Sequence, residues 1–284
     1  MGELRTVLEL ITLTAEYLTN QGCDSPRLDA EILLGHVLQL DRLQLYLNFD
    51  RPLTTQEVSA YRRVVALRAK RRPTAYITGT REFYSRDFCV NEGVLVPRPE
   101  TELLVETAIN WGRGFPKPRV LDVGTGSGVI AISLARELPG ARVTGTDISP
   151  AALAVAQANA DAAELSNPIT FVESDLFSAI SKEPFHLICS NPPYIPSKDI
   201  ADLEPEVQAE PVVALDGGVD GLAVYRRLLS SAPQYMAPDG YLILEIGWNQ
   251  AAAVQTLAKQ AGLALRDVVT DYAGHDRVVV FCRD

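Results

Sequence analysis

The stretch Ser190-Asn191-Pro192-Pro193-Tyr194-Ile195 brings hydrogen-bond acceptors and an aromatic ring together on a stiff backbone. Neither proline has an N–H to donate, each holds φ at roughly −65°, and the residue before each proline is restricted to extended conformations. The stretch therefore predicts an open elbow, from which the Asn191 side chain and the Pro192 carbonyl point outward as acceptors beside Tyr194. Acceptors next to a flat ring suit a planar group that bears an NH₂. We therefore expect chemistry on an amino group, with a second molecule as the reagent.

The elbow must follow a strand, and the chain around it has the pattern of an α/β fold. Apolar runs and helical segments alternate from Pro97 onward, which is typical of such a sheet. The last two predicted strands leave no room for a crossover helix, so we expect the final one to be antiparallel. The predicted strands are 120–123, 142–146, 169–172, 185–189, 241–246, 265–269 and 277–282. The predicted helices between them are 129–138, 151–163, 222–231 and 250–260.

A glycine loop, Gly124-Thr125-Gly126-Ser127-Gly128, joins the first of these strands to a helix. Glycines allow a ligand to approach the backbone, and the helix N-terminus offers unpaired N–H groups. The spacing is G-x-G-x-G, so the third glycine of the dinucleotide fingerprint G-x-G-x-x-G is misplaced. A tight turn without a ligand would have the same pattern.

Two acidic residues end the next predicted strands. Asp147 lies roughly 20 residues after the glycine loop, where a carboxylate accepts hydrogen bonds from ribose hydroxyls and disfavours NADP. Asp175 is placed to accept from an adenine amino group, with Leu176 or Phe177 packing on the ring. The alternative for Asp147 is a carboxylate at a helix start, ahead of Ser149-Pro150. Asp175 alone would have the pattern of a solvated loop.

The amino-terminal part is predicted to be helical over residues 1–72. Leu4, Leu8, Ile11, Ala15 and Leu18 share one helical face, Ser25-Pro26 marks a second start, and Thr54 with Glu57 forms a capping box for a third helix. That helix ends in the basic run Arg68–Arg72, which we expect to be a solvated helix end, with a docking surface for an acidic or RNA-like partner as the alternative. Residues 73–96 predict a β-hairpin linker, and residues 97–284 the catalytic domain.

The composition is that of an ordinary globular protein, with 47% hydrophobic and 22% charged residues. No apolar run is long enough for a membrane span, and no signal peptide pattern is present, so we expect a cytoplasmic protein. The four cysteines are far apart, so neither a disulfide framework nor a metal site is predicted. Met1-Gly2 with Thr6 fits the myristoylation pattern, a six-residue match that we interpret as coincidence.

The charge is unevenly distributed along the chain. Residues 1–90 carry 12 Lys+Arg against 11 Asp+Glu, whereas the remainder carries 14 against 25. Because nucleic acids are bound largely by neutralising their phosphates with Lys and Arg, this acidic part disfavours a nucleic-acid substrate without excluding one.

Taken together, these motifs resemble the class I S-adenosylmethionine-dependent methyltransferases, and Asn-Pro-Pro-Tyr resembles the motif of their amino-group members. More narrowly, nearly the whole chain resembles the HemK/PrmC family. The motifs that carry this resemblance are 94–102 (VLVPRPETE), 122–128 (DVGTGSG), 190–195 (SNPPYI), Glu210-Pro211 and 214–222 (ALDGGVDGL). The family methylates the N5 amide nitrogen of the glutamine in the Gly-Gly-Gln motif of peptide-chain release factors. The resemblance thus implies a Rossmann-like sheet, a small helical domain for substrate recognition, and a release factor as the partner.

The resemblance also implies roles for residues. It assigns the cofactor S-adenosylmethionine, with S-adenosylhomocysteine as product, to the glycine loop and Asp147, with Asp175 and Leu176 at the adenine. It assigns Asn191 to both cofactor and substrate, and Pro192, Pro193 and Tyr194 to the glutamine, with Asn191, Pro192 and Tyr194 as the catalytic set. The family often has an aromatic residue where this chain has Leu176. Arg98, Glu100, Glu210 and Asp220 lie in the motifs without an assigned role. We expect a monomer that binds neither nucleic acid nor membrane.

Three other functions remain as alternatives. A DNA or RNA methyltransferase acting on adenine N6 or guanine N2 also needs acceptors for a planar NH₂, but it must extract the base and usually has a basic surface. A nicotinamide-dependent oxidoreductase is disfavoured by the glycine spacing. A non-catalytic nucleotide-binding or ribosome-associated module would not depend on Asn191.

Overall fold

The computed structural model describes residues 5–284 and divides them into two compact units. One comprises the described residues up to Thr80 together with Glu204–Ala209, and the other comprises Arg81–Leu203 and Glu210–Asp284. Leu4 of the predicted first helical face and the Met1-Gly2 pair lie outside the described residues. Within residues 5–284, no helix is both long and apolar enough to cross a membrane.

Helices come first along the described chain, and strands join them from Thr80 onward. The helices are α1 (Val7–Asn20), α2 (Pro26–Leu38), α3 (Arg42–Leu47), α4 (Thr55–Arg68), α5 (Thr74–Thr78), α6 (Thr101–Gly112), α7 (Val129–Glu137), α8 (Pro150–Ala162), α9 (Pro205–Gln208), α10 (Ala223–Ser231) and α11 (Ala251–Gln260). The strands are β1 (Thr80–Phe83), β2 (Arg86–Cys89), β3 (Arg119–Val123), β4 (Arg142–Asp147), β5 (Ile169–Glu173), β6 (Phe185–Ser190), β7 (Met236–Glu245), β8 (Leu263–Thr270) and β9 (Asp276–Arg283). Short 3₁₀ helices lie at Ser197–Asp202, Val212–Ala214 and Ala232–Gln234.

Three helices of the helical unit, α1, α3 and α4, begin at a capping box. The capping box of Thr54 and Glu57 is present at α4, whereas Ser25 makes no side-chain cap at α2, where Pro26 begins the helix instead. Residues of α1 and α2 that face inward, such as Ile11 and Leu33, are fully buried. Burying a side chain of this size contributes about 1.5–3 kcal/mol. Apolar residues therefore recur on the inward face of each helix, and this recurrence is the periodicity seen in the sequence.

The basic run after α4 is not a solvated helix end. Arg68 is 5% exposed, and its guanidinium donates to Asp29 at 2.8 Å and to Glu206 at 2.5 Å. Arg71 donates to Glu206 at 2.6 Å and to Glu204 at 2.6 Å. The acidic partner of the run is therefore a segment of the same chain, Glu204–Ala209, which belongs to the helical unit. The interpretation as a solvated helix end was wrong for Arg68, because the partner lies far away in sequence.

The predicted linker 73–96 is only partly a hairpin. It begins with the helix α5, the hairpin occupies β1 and β2, and residues 94–96 form no strand. Tyr84 and Ser85 form the turn with φ of 51° and 57°. Phe83 and Phe88 are 1% and 3% exposed and belong to the core of the larger unit.

The larger unit is organised by a seven-stranded sheet, counted over residues 5–284, in the order β5-β4-β3-β6-β7-β9-β8. Neighbouring strands are parallel except for β9, which runs antiparallel to β7 and β8 as predicted. The chain leaves β3 toward β4 on one side, while β6 pairs with β3 on the other, with Asp122 opposite Cys189. Such a change of direction opens a crevice at the carboxyl ends of the two strands. The glycine loop after β3 and the Asn-Pro-Pro-Tyr elbow after β6 therefore become neighbours.

Candidate active site

The glycine loop after β3 has a left-handed backbone at each of its glycines. The φ angles are +75° at Gly124, +55° at Gly126 and +85° at Gly128, a region that favours glycine. A Cβ at Gly124 or Gly126 would meet no other atom within 4 Å, whereas one at Gly128 would lie 3.1 Å from Ile132 and 3.2 Å from Ala156. Gly128 thus permits close helix packing, and Gly124 and Gly126 face open space that a ligand can use.

Asp147, at the end of β4, is bound to this loop. Its Oδ2 accepts from the Gly126 N–H and its Oδ1 accepts from the Ser149 N–H, each at 2.9 Å. A carboxylate oxygen has two lone pairs, so both oxygens retain capacity for ribose hydroxyls. The next residue, Ile148, is 51% exposed and lines the same cavity. An exposed isoleucine beside the carboxylate offers an apolar surface that the sequence did not predict.

Asp122 lies beneath the loop and is fully buried. Its Oδ2 accepts from the Thr125 hydroxyl at 2.6 Å and from the Ala131 N–H at 3.2 Å. Its Oδ1 is a buried acceptor that has no hydrogen-bond partner within residues 5–284. Burial raises the pKa of Asp122 to about 7, against the effect of the Thr125 and Ala131 hydrogen bonds. An unpaired buried acceptor carries a desolvation cost, which is the physical reason that the neutral form of the Asp122 carboxyl is favoured.

Asn191, at the elbow after β6, is held by two residues to which the sequence assigned no role. Its Nδ2 donates to the Thr101 hydroxyl at 3.1 Å, and that hydroxyl donates to Glu245 Oε2 at 2.7 Å. Glu245 is 1% exposed, and burial raises its pKa to about 7, partly offset by Thr101 and by Arg277. The sequence signal that could have identified Glu245 was a carboxylate directly after the apolar run 241–244, at the carboxyl end of a predicted strand.

The glycine-rich segment that begins at Leu215 supports the elbow from behind. Ile195 donates its N–H to the Leu215 carbonyl at 3.0 Å and accepts from the Gly217 N–H at 2.8 Å. A Cβ at Gly217 would lie 2.8 Å from Tyr194 Cα, and one at Gly221 would collide with the Tyr194 carbonyl. These two glycines are therefore required because two backbones approach closely at the elbow.

One cavity connects most of the predicted site residues. It is lined by Gly124, Thr125, Gly126, Ser127, Asp147, Asp175, Leu176, Asn191 and Pro193, together with Thr101 and Arg98. Gly128, Pro192 and Tyr194 are not part of this lining. Pro192 is buried, and Tyr194 packs partly buried against the core, where burial raises its pKa to about 12 and keeps the phenol neutral. The roles assigned to all of these residues remain predictions.

The residues predicted to contact adenine, Asp175 and Leu176, lie just after strand β5. Leu176 has a left-handed backbone with φ of +53°, and the Ser174 hydroxyl donates to its carbonyl at 2.9 Å. Asp175 Oδ2 forms an ion pair with Arg227 at 2.7 Å, with both side chains partly exposed. Any bond from an adenine amino group to Asp175 would therefore have to share the carboxylate with Arg227.

Two of the other motif carboxylates, Glu210 and Asp220, are paired with arginines. Glu210 is 4% exposed and accepts from Arg98 Nη2 at 2.8 and 2.9 Å. Burial raises the pKa of Glu210, and Arg98 opposes this. Asp220 pairs with Arg226 on the surface, and hydrogen bonding from Arg226 lowers its pKa to about 2. Glu100 stands at the N-terminus of α6 without a side-chain cap.

The residues fit S-adenosylmethionine, the cofactor that the resemblance implies. Gly124 and Gly126 leave space that a side chain would fill. Asp147 lines the cavity and can accept from ribose hydroxyls, whereas the buried Asp122 is not part of the lining. The cavity then continues to Asn191, so an acceptor for an amino group lies in the same space.

Comparison with known proteins shows what the chain is similar to. Residues 9–79 match the PrmC N-terminal domain family and residues 99–207 the methyltransferase small domain family. A release factor glutamine methyltransferase from Geobacter sulfurreducens is 45% identical over 98% of this chain and 96% of its own length. Its counterpart from Chlorobaculum tepidum is 45% identical over 96% and 95%. Among solved structures, the hMettl16 catalytic domain shares the fold, with a TM-score of 0.56, 16% identity, and coverage of 77% of this chain and 80% of that one. The chain belongs to the family of release factor glutamine methyltransferases.

Proposed function

We propose that this protein transfers a methyl group from S-adenosylmethionine to the N5 amide nitrogen of the glutamine in the Gly-Gly-Gln motif of peptide-chain release factors. The observation that carries the proposal is the single cavity that runs from Gly124 and Asp147 to Asn191 and Pro193. The near full-length similarity to release factor glutamine methyltransferases supports the choice of substrate.

An amide nitrogen is a poor nucleophile because its lone pair is delocalised into the carbonyl. S-adenosylmethionine, when bound, supplies an electrophilic methyl group on a sulfonium. Asn191 Oδ1 and the Pro192 carbonyl accept the two N–H bonds of the glutamine amide and favour a pyramidal nitrogen, whose lone pair then faces the cofactor site. As the N–C bond forms, the S–C bond breaks, and the amide nitrogen loses a proton to solvent. Orientation of this kind lowers a reaction barrier by up to about 7–11 kcal/mol.

Tyr194 is proposed to pack on the glutamine amide plane, and Pro193 to contact the side chain from the cavity wall. Because burial raises the pKa of Tyr194 to about 12, its ring is a neutral surface and not a base at physiological pH. The helical unit is proposed to recognise the release factor outside the glutamine. The protein is proposed to act as a monomer in the cytoplasm, because release factors work there.

The test is methyl transfer from radiolabelled S-adenosylmethionine to a purified bacterial release factor, with DNA and RNA as parallel acceptors. A release factor in which the motif glutamine is replaced by glutamate is the matched control, because it keeps the shape and lacks the NH₂. Label should enter the release factor, and mass spectrometry should place one methyl group on that glutamine. Label in DNA or RNA, or undiminished label in the glutamate control, would refute the proposal.

A further inference from the structure

The two residues behind Asn191 form a hydrogen-bonded chain that ends in a buried carboxylate. Asn191 Nδ2 lies 3.1 Å from Thr101 Oγ1, and Thr101 Oγ1 lies 2.7 Å from Glu245 Oε2. Thr101 is 3% exposed and opens helix α6, and Glu245 is 1% exposed and closes strand β7. Residues from two separate elements, α6 and β7, thus meet behind one side-chain amide.

The chemistry of this chain determines its direction. An ionised carboxylate only accepts hydrogen bonds, and a hydroxyl has one hydrogen to donate. Because the Thr101 hydrogen goes to Glu245, Thr101 presents only lone pairs to Asn191, and the amide must turn its NH₂ toward Thr101. A flipped amide would bring Asn191 Oδ1 against these lone pairs and lose the hydrogen bond.

We propose that Thr101 and Glu245 are positioning residues that fix the orientation of the Asn191 amide, so that Nδ2 faces the protein and Oδ1 faces the substrate amino group. The proposal rests on the proposed function, in which Asn191 Oδ1 accepts from the glutamine amide. Without these hydrogen bonds, the Asn191 amide could adopt either of two orientations, and one of them would present its NH₂ to the NH₂ of the substrate. An apolar residue would suit packing at position 245 better, since the flanking Leu244 and Ile246 are fully buried and a buried carboxylate carries a desolvation cost.

The test uses the full-length protein, with Thr101→Val, Thr101→Ser, Glu245→Gln and the double variant Thr101→Val/Glu245→Gln. Valine keeps the shape of threonine and lacks the hydroxyl, serine keeps the hydroxyl, and glutamine keeps the size of glutamate without fixing the direction. The measurements are kcat and KM for methylation of the release factor, the Kd for S-adenosylhomocysteine by calorimetry, and thermal melting as the control for folding.

Thr101→Val should lower kcat by on the order of 10- to 100-fold and should weaken S-adenosylhomocysteine binding by a smaller factor, because the acceptor for the substrate amide loses its orientation while the glycine loop and Asp147 are unchanged. Thr101→Ser should recover kcat to within about threefold. Glu245→Gln should lower kcat, and the double variant should be no slower than Thr101→Val, since both act through one chain.

Wild-type kcat in Thr101→Val, equal loss in the serine and valine variants, or multiplication of the two single losses in the double variant would overturn the inference. If Thr101→Val does not melt cooperatively, Glu245→Gln and Thr101→Ser decide it, and a wild-type kcat in Glu245→Gln then refutes it. If the wild-type protein leaves the release factor unmodified and methylates DNA or RNA, the proposed function fails. The same variants are then compared on the acceptor that is used.

Discussion

Replacing Gly124 by alanine should separate cofactor binding from folding, because the structure contains a matched control. Gly124 has φ of +75° and Gly262 has φ of +74°, and a Cβ at either position would meet no other atom within 4 Å. Gly124 lines the cavity, whereas Gly262 follows helix α11 and does not. Both glycines belong to the larger unit.

The folding cost of the two substitutions should be the same. An L-residue in the left-handed region costs roughly 1–2 kcal/mol, and neither alanine adds a steric clash. For a chain of this size, each kcal/mol lowers the melting temperature by about 2–4 °C, so both variants should melt about 2–8 °C below wild type. Only position 124 lines the cavity that is proposed to hold S-adenosylmethionine. We expect cofactor affinity to fall at least about tenfold, or roughly 1.4 kcal/mol, in that variant alone.

The assay is calorimetric titration with S-adenosylhomocysteine, paired with thermal melts of both variants. Wild-type affinity in Gly124→Ala, with the expected loss of melting temperature, would show that this part of the cavity does not hold the cofactor. Equal loss of affinity in Gly262→Ala would show that binding follows global stability instead of local space.

Three further predictions concern other parts of the molecule. Asp147→Ala should weaken S-adenosylhomocysteine binding by at least about tenfold, measured by calorimetry. The substitution removes a proposed ribose acceptor and leaves the N–H groups of Gly126 and Ser149 without their carboxylate partner. Unchanged affinity would contradict the ribose assignment. Since the folded-state pKa of Glu245 is raised to about 7, its contribution to stability is complete below the unfolded pKa of about 4.3 and is lost as pH rises through about 7. The methylation rate should rise through the same range as Glu245 ionises. In Glu245→Gln the rate profile from about pH 5 to 9 should flatten, whereas urea unfolding should keep the part of its pH dependence that comes from Asp122, whose pKa is also raised to about 7; wild-type profiles in both measurements would contradict the raised pKa of Glu245. Arg68→Ala should destabilise the helical unit by about 3 kcal/mol, because it leaves the buried Asp29 carboxylate without a guanidinium partner and leaves Glu206 paired with Arg71 alone. Hydrogen exchange in α1, α2 and α4 measures this, with exposed Arg62→Ala as the control, and equal protection in both variants would argue against a stabilising pair.

The local patterns of the sequence predicted most of the elements that carry the site. The predicted strands 120–123 and 185–189 match β3 and β6 to within a residue at each end. Buried parallel strands are continuous apolar runs that end at glycine or proline, which makes their carboxyl ends easy to recognise. The antiparallel direction of β9 was predicted because a short connection cannot contain a crossover.

The errors occur where local pattern and tertiary packing disagree. Strand β7 begins at Met236, five residues before the predicted start, because Pro238-Asp239-Gly240 has the composition of a turn and lies at a register shift opposite β6. Helices α5, α6 and α9 were not predicted. Helix α6 begins at Thr101, directly after Pro97-Arg98-Pro99-Glu100, in a segment for which the sequence analysis gave no element.

The sequence by itself determined the composition of the site: the glycine loop, Asp147, and the proline elbow with Asn191 are each defined by the conformational limits of a few adjacent residues. Only the tertiary structure decided that β6 pairs with β3, and this pairing brings the elbow to the glycine loop. It also brought Thr101 and Glu245 behind Asn191 and Glu206 to Arg68. Backbone preferences act between neighbours in the chain and are visible in sequence, whereas strand order and buried hydrogen-bond partners depend on how whole elements pack, which no local pattern specifies.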